Sequence, residues 1–465
     1  MIQWNRLSLF IVGFCFTHSV SAQDVPQPNV VLMLADDLGA GDLGCYGSPE
    51  TSTPNLDRLA ATGMRFTDFY AASGVCSPSR AATLTGRFSV RAGVYSWIAP
   101  QHKMRLRRDE YTIAEALQSS GYATAHIGKW HLGYDLVEGS GNGPNPGDHG
   151  FDYWMATGNN ASPSHHRPKN FVRNGEAMGE IDGYSCQIVV DEALTWLNQD
   201  RPTEEPFFLN LWFHEPHQPV AAPEALNDRH PDVRQPAYYG SIENMDAAVG
   251  RLLDYLDERG LRGQTLLLFA SDNGSYRTDR RNNRGLTGRK TQLWEGGIRE
   301  PALANWPGVI PPGRVDATPA GLVDYFPTIL DVAGVSLPTD RVLDGVSLVP
   351  LLKGGRINRT KPLYWFYNPS RPVCVIRDGS WVLTADPEID LSRNNMFLES
   401  FIGDIKRTAL VHRKLFHIHQ DPVQQQDLSS RYPERFSQMS RLMDTIHAEV
   451  MEEAYDWRLE VSSED

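Results

Sequence analysis

Apolar residues along this chain come in two rhythms: short unbroken runs, and longer stretches at helical spacing. Residues 29–34 (Asn-Val-Val-Leu-Met-Leu) form one run and lead into Asp36-Asp37-Leu38-Gly39. A segment apolar at nearly every position predicts a strand covered on both faces, as in a parallel sheet. Residues 122–127 predict a second strand, leading into Gly128-Lys129-Trp130-His131. Residues 207–213 predict a third, leading into His214-Glu215-Pro216-His217, and residues 265–270 a fourth, leading into Ser271-Asp272-Asn273-Gly274. Helical stretches intervene. Thr53-Pro54-Asn55-Leu56-Asp57 predicts a helix start, with Thr53 as cap and Pro54 in the first turn. Thr112-Ile113-Ala114-Glu115 spells a capping box, with Gly121 ending that helix. A long helical pattern covers residues 238–259.

Strands alternating with helices imply an α/β fold, a mostly parallel sheet sandwiched by helices. Each polar cluster follows the C-terminal end of an apolar run, the edge where open α/β sheets bind ligands. After about residue 355 the texture changes to short strand-like pieces and polar loops. This predicts a main domain over 23–355 and a smaller C-terminal α+β subdomain over 356–465, with a terminal helix near 433–455.

Composition fits a large globular enzyme: 465 residues, 41% hydrophobic and 22% charged, with no internal repeat. Residues 1–22 read as a secretory signal, with Arg6, an apolar run over 7–16 and the small residues Val20-Ser21-Ala22. That run is too short to cross a hydrocarbon core of roughly 30 Å. The expectation is therefore an exported protein, periplasmic or secreted, without stable membrane insertion. Of five cysteines, Cys15 falls in the signal; Cys45, Cys76, Cys186 and Cys374 are too few for a disulfide framework, and with Cys76 modified they allow at most one bridge, which the sequence does not name. The net charge of -13 argues against a nucleic-acid partner, and means that an anionic substrate must be held by local cations or a metal.

Asp36-Asp37 and Asp272-Asn273 place two oxygen-rich pairs at strand ends far apart in sequence. Carboxylates and an amide carbonyl are hard ligands, suited to Ca2+ or Mg2+ rather than zinc. Either pair alone reads as well as turn-opening residues. A third segment changes that balance: Cys76-Ser77-Pro78-Ser79-Arg80, extended by Ala81-Ala82-Thr83-Leu84-Thr85-Gly86-Arg87. It matches the Cys-x-Pro-x-Arg signature of type I sulfatases. The chain also carries Gly128-Lys129-Trp130-His131-Leu132-Gly133, His149-Gly150-Phe151-Asp152, Glu295-Gly296-Gly297-Ile298-Arg299-Glu300-Pro301 and Asp340-Arg341-Val342-Leu343-Asp344-Gly345. From residue 29 to about 353 it resembles the formylglycine-dependent type I sulfatase family, in the branch of arylsulfatase A and N-acetylgalactosamine-6-sulfatase.

The resemblance implies an alkaline-phosphatase-like fold and a sulfuric ester hydrolase acting on a sulfated carbohydrate. It implies that a formylglycine-generating maturation enzyme oxidises Cys76. Asp36, Asp37, Asp272 and Asn273, with the modified residue 76, would hold one Ca2+. Arg80 would hold the nucleophile, Lys129 and His131 would flank it, His217 would stand near the leaving group, and Lys290 would bind sulfate. A hydrated aldehyde bears two hydroxyls on one carbon. One attacks sulfur; the other, deprotonated with help from His131, collapses to the aldehyde and expels sulfate. Acid–base help of this kind is worth about 10²–10⁴-fold. His214 competes with His217, and ranks second because Pro219 lies two residues past His217. Arg289 competes with Lys290. Trp130 and Trp294 read as packing residues.

Two loops are candidates for substrate recognition. Residues 275–290 hold Arg277, Arg280, Arg281, Arg284, Arg289 and Lys290 against the single acid Asp279, directly after Asp272-Asn273. This loop is expected at the mouth of the site, gripping neighbouring sulfates or uronates, with Arg280 and Arg281 the residues to test; a solvated loop is the competing reading. Ser162-Pro163-Ser164-His165-His166-Arg167, after Gly158-Asn159-Asn160, is the second candidate, for reading sugar hydroxyls. Two other functions compete. A phosphatase or phosphodiesterase of the same fold would need Ser or Thr and further His and Asp ligands for two zinc ions, which are not evident. An inactive sulfated-glycan-binding protein would be expected to have lost part of a constellation that is whole here.

Overall fold

A computed structural model describes residues 27–140, 143–277, 279 and 281–459. The signal-like segment at residues 1–22 and Arg280 lie outside the described residues. The main sheet is built from β1 (Asn29–Asp36), β2 (Met64–Tyr70), β3 (Ala123–Lys129), β4 (Tyr153–Thr157), β5 (Val172–Arg173), β6 (Glu176–Ala177), β7 (Phe207–Pro216), β8 (Thr265–Ser271), β9 (Arg299–Asn305), β10 (Arg314–Asp316) and β11 (Ala320–Gly321). Their order is β10-β2-β9-β8-β1-β7-β3-β4-β5-β6, with β11 also on β2. The centre, β8-β1-β7-β3-β4, is parallel throughout. β9 runs antiparallel between β8 and β2.

Every residue of β1 is buried. Val30, Leu32 and Leu34 pack with helices Ile113–Gln118 and Tyr325–Ala333 on one face. Val31, Met33 and Ala35 pack with helices Pro54–Ala61, Ser185–Thr195 and Pro236–Glu258 on the other. That is why the run is apolar without alternation.

The capping box forms as read: Glu115 N–H donates to Thr112 Oγ1 at 3.2 Å, and Thr112 N–H to Glu115 Oε2 at 2.8 Å. Its helix ends at Gln118, before Gly121. Thr53 sits at the N-cap of Pro54–Ala61 but does not cap it. Its hydroxyl accepts from Gly44 N–H and donates to Asp57 Oδ1, so it serves the preceding turn instead.

β3 and β7 outrun their expected ends, to Lys129 and Pro216. The ladder continues past the apolar run, pairing Lys129 with Thr157 across β3 and β4. Because β7 and β8 flank β1, the ends of these three strands lie side by side, with β3 one strand farther on.

The C-terminal part is a four-stranded antiparallel sheet, β12 (Leu363–Phe366), β13 (Cys374–Asp378), β14 (Trp381–Pro387) and β15 (Leu410–His417), covered by helix Pro433–Glu453. Met439, Met443 and Val450 of that helix belong to the same apolar cluster as Val30, Leu32 and Leu34. The two sheets therefore share one core. All four cysteines of the described residues are free thiols.

Candidate active site

Cys76 is the first residue of helix Cys76–Thr85 and is 2% exposed. Its Sγ donates to Asp36 Oδ1 at 3.3 Å. Burial pushes the thiol well above its ordinary range, and Asp272 and Asp36 push it further. An unmodified Cys76 is thus a neutral thiol, and the thiolate is what makes a cysteine nucleophilic. Arg80 lies four residues on, one helical turn away on the same face. It is fully buried, donates from Nε and Nη2 to Asp272 Oδ2 at 3.0 and 2.8 Å, and from Nη1 to Lys129 O at 2.8 Å. The guanidinium lies over the Trp212 ring, 5.0 Å from its centroid.

Asp36, Asp37, Asp272 and Asn273 meet where β1 and β8 end. Asp37 takes φ 66°, a left-handed conformation that Asp tolerates. Its backbone N–H donates to Asp272 Oδ1 at 3.2 Å, and Asn273 Nδ2 donates to its Oδ1 at 2.6 Å. One ligand atom each from Asp36, Asp37, Cys76 and His217 lies within 4.8 Å of the others. Burial raises Asp272, as does Asp36 beside it, against the pull of Arg80. Burial would raise Asp36 too, but Lys129, His217, Arg80 and Lys290 outweigh it and hold that carboxyl well below the usual range. Asn273 Oδ1 is buried with no hydrogen-bond partner among the described residues. Crowded carboxylates and one orphaned amide oxygen fit a hard divalent cation.

Cations ring this group. Lys129 Nζ donates to Asp36 Oδ2, and to Asn160 Oδ1 at 2.8 Å. Lys290 Nζ donates to Asp37 Oδ2 at 2.8 Å. Thr291 after it holds φ 73°, a strained conformation for a β-branched residue, and its N–H donates to Gly74 O at 2.7 Å. His131 is buried; its Nε2 faces Ile98 O at 3.0 Å, leaving Nδ1 without a partner among the described residues. Burial pushes its pKa well below the ordinary value, and Lys129 and Arg80 add to this, so the ring is neutral. His217 Nε2 lies 3.5 Å from Asp37 Oδ2, with Nδ1 against Gln218 O. Burial lowers His217 to about 4, and Asp37 opposes that.

Both competitors are placed apart. His214 is fully buried and bonds Thr157 Oγ1 at 2.8 Å, while Arg289 is exposed. Trp130 is buried packing, and Trp294 donates to Arg371 O at 3.0 Å.

Two residues named in the sequence reading take places it did not assign. Asn160 accepts from Lys129 and donates to Gln218 O at 3.1 Å, tying the β3 end to the His217 loop. Glu300, on β9, is buried with neither carboxylate oxygen partnered among the described residues. Burial raises its pKa well above the ordinary value, and Asp272, Asp42 and Asp37 add to the effect. A lone acid in the otherwise apolar stretch after Arg299 is the signal that could have found it.

The two recognition loops land differently from one another. His165 is buried, 3.5 Å from Glu215 Oε1. His166 stacks on Tyr184, and Arg167 pairs with Glu180. These side chains serve the loop's own packing, while Asn159, Asn160 and Ser162 line a cavity of about 450 Å³ with Tyr134 and Asn170. In the basic loop, Arg281 pairs with Asp279 at 2.8 Å and Glu50 at 2.7 Å.

Known proteins resemble this chain in sequence and fold. The Sulfatase family model matches residues 28–335. N-acetylgalactosamine-6-sulfatase of Canis lupus familiaris is 32% identical over 467 residues, covering 92% of this chain and 87% of that protein. Arylsulfatase A of Homo sapiens is 38% identical over 387 residues, covering 76% and 74%. The solved structure of Ps i-CgsB in complex with k-i-k-neocarrahexaose superposes with TM-score 0.78 at 26% identity, covering 92% of this chain and 94% of that one. With the carboxylate cluster, Cys76 and Arg80 assembled at the sheet's C-terminal edge, these matches establish that the chain is an enzyme belonging to the sulfatase family.

Proposed function

We propose that this enzyme is exported and removes sulfate from a sulfated carbohydrate, using residue 76 as formylglycine and one bound Ca2+. The observation that carries the reading is the position of Cys76. It is buried as a neutral thiol at a helix start, 3.3 Å from a carboxylate and ringed by Arg80, Lys129 and Lys290. A sugar ester as substrate follows the names of two relatives, an N-acetylgalactosamine-6-sulfatase and a protein solved with k-i-k-neocarrahexaose.

Asp36, Asp37, Asp272 and the side-chain carbonyl of Asn273 would hold the cation, which when bound offsets negative charge on the sulfuryl oxygens. An aldehyde at position 76, once hydrated, supplies two hydroxyls on one carbon, one to attack sulfur and one to expel sulfate. Arg80 fixes that side chain through the helix and fixes Asp272 through a two-armed contact. The buried ammonium of Lys129 and the partly buried one of Lys290 meet the sulfuryl oxygens as charge shifts onto them. His217 protonates the departing sugar oxygen; the docked anionic ester raises its pKa toward the charged form. His131 meets Ile98 O through Nε2, so its bare Nδ1 is free to take the proton from the second hydroxyl.

Mass spectrometry of the peptide carrying residue 76, from cells that contain the maturation enzyme, tests the proposal. The expected mass is that of the aldehyde. Full sulfate release by protein whose residue 76 is entirely thiol defeats it.

A further inference from the structure

A cavity of about 590 Å³ opens beside the catalytic group, lined by Gln218, Arg234, Gln235, Tyr276, Arg277 and Arg281, with Asp232 and Asp279 as its acids. Gln218 follows His217 and accepts from Asn160. Tyr276 follows Asn273 by three residues and lies close enough to feel Asp37 and Lys290. Two of its lining residues, Gln218 and Tyr276, thus adjoin the segments that carry His217 and Asn273.

Its arginines are not equivalent. Arg281 is 60% exposed and is neutralised by Asp279 and Glu50. Arg277 is held wholly by neutral groups: Nε donates to Asn282 Oδ1 at 3.2 Å, Nη1 to Gln235 Oε1 at 2.7 Å and Nη2 to Arg234 O at 2.9 Å. Its guanidinium lies over two rings, 4.8 Å from the Tyr238 centroid and 5.1 Å from that of Tyr239. Among the described residues no carboxylate forms an ion pair with it; Asp279 and Asp42 feel its charge only at longer range. The Tyr276 hydroxyl nearby is buried and has no hydrogen-bond partner among the described residues. Once Arg281 and Asp279 cancel, the lining keeps Arg234 and Arg277 against Asp232 alone.

We infer that this cavity binds a second anionic group, the sulfate or carboxylate of the sugar next to the one being desulfated, and that Arg277 is the residue that selects it. The inference rests on the sulfatase reading above. It moves the recognising charge from Arg281 to Arg277, which is rigidly stacked and pre-oriented, so little entropy is lost on binding. Tyr276 supplies the unused hydroxyl as donor.

The test compares kcat/KM on three kinds of disaccharide with the formylglycine-bearing enzyme: one carrying a single scissile sulfate, one with a second sulfate on the neighbouring sugar, and one with a neighbouring carboxylate instead. 4-Nitrophenyl sulfate is the reference. The wild type should prefer one of the doubly anionic substrates by at least about tenfold, worth about 1.4 kcal/mol. Arg277→Gln, which keeps hydrogen-bonding capacity without the charge, should erase that preference through KM. Arg281→Ala should keep it. Which doubly anionic substrate is preferred tells sulfate from carboxylate. A wild type without preference, a preference that survives Arg277→Gln in a folded variant, or one that Arg281→Ala removes, overturns the inference. No sulfate release from any substrate, 4-nitrophenyl sulfate included, sinks the sulfatase reading instead.

Discussion

At the scale of single residues, the site depends on charges that are buried because they are mutually matched. Arg80 is the clearest case: a fully buried guanidinium facing Asp272 and Asp36. Arg80→Ala leaves Asp272 without its ion-pair partner, while Asp36 keeps Lys129, and breaking a buried pair in this way costs about 3–5 kcal/mol. Arg80→Lys restores the charge but not the planar fork, so activity should stay low while part of the thermal stability returns. Equal activity in Arg80→Lys and wild type would show that the fork is dispensable. His217 and His214 separate in another way. His217→Ala should lower kcat by about 10²–10⁴-fold with little change in Tm. His214→Ala should act first on Tm, since its ring fills a closed space against Thr157 and Phe171. The reverse pattern would exchange their roles. The metal assignment has its own measurement. Treatment with EGTA should abolish turnover and lower Tm, and Ca2+ at about 100 times its Kd should return about 2.7 kcal/mol of stability. Asn273→Ala should weaken that Ca2+-dependent shift. An unchanged Tm and full turnover after chelation would sink the assignment.

At the scale of elements, the strands that carry the site are legible in the sequence because each is buried on both faces. β1, β7 and β8 are apolar at nearly every position for that reason. β2 and β9 are not legible, because Arg65, Thr67, Asp68, Arg299 and Glu300 interrupt them and their partners lie far away in sequence. Strand ends are misjudged where site residues begin: Lys129 and His214 are polar, yet the ladder runs through them. The same limit hides Asn160, whose role depends on a lysine on a neighbouring strand. Asp68 shows what the polar positions of β2 do. It is 1% exposed and meets Arg299 of β9, Arg377 of β13 and His419, at 2.9 Å to its Nε2. Burial alone would raise its carboxyl, but Arg377, Arg299 and His419 outweigh burial and bring it below the ordinary value of 3.8. A depressed folded-state pKa stabilises above the unfolded-state pKa and is lost as pH falls through the folded one. Asp68→Asn should therefore lower Tm at neutral pH. The gap to wild type should narrow only below about pH 3.8, the ordinary value from which the shift starts. A gap that closes already near pH 6 would show that the carboxylate of Asp68 is not the source of the effect.

At the scale of the whole molecule, the sequence predicts a smaller C-terminal subdomain over 356–465, and the packing argues that its stability is tied to that of the main sheet. Trp365 of β12 donates to Ala71 O beside β2 at 2.7 Å, and Trp457 donates to Gly93 O at 2.7 Å. Arg91, 1% exposed, pairs with Asp344 at 3.1 Å and with Glu453 at the end of the terminal helix at 2.7 Å. Residues from both sheets form one continuous apolar cluster. A change of texture near residue 355 marks a change of sheet, because short antiparallel strands and polar turns look alike whether or not they own a core. A fragment over 23–355 would expose the apolar face that β12 to β15 and helix Pro433–Glu453 now cover, and would leave Arg91 beside Asp344 without Glu453. It should accumulate as insoluble protein, and the intact chain should unfold in a single calorimetric transition whose midpoint reports on both sheets together. Two well-separated transitions, or a soluble fragment with the near-ultraviolet circular dichroism of the intact enzyme, would show instead that the main sheet holds its fold alone.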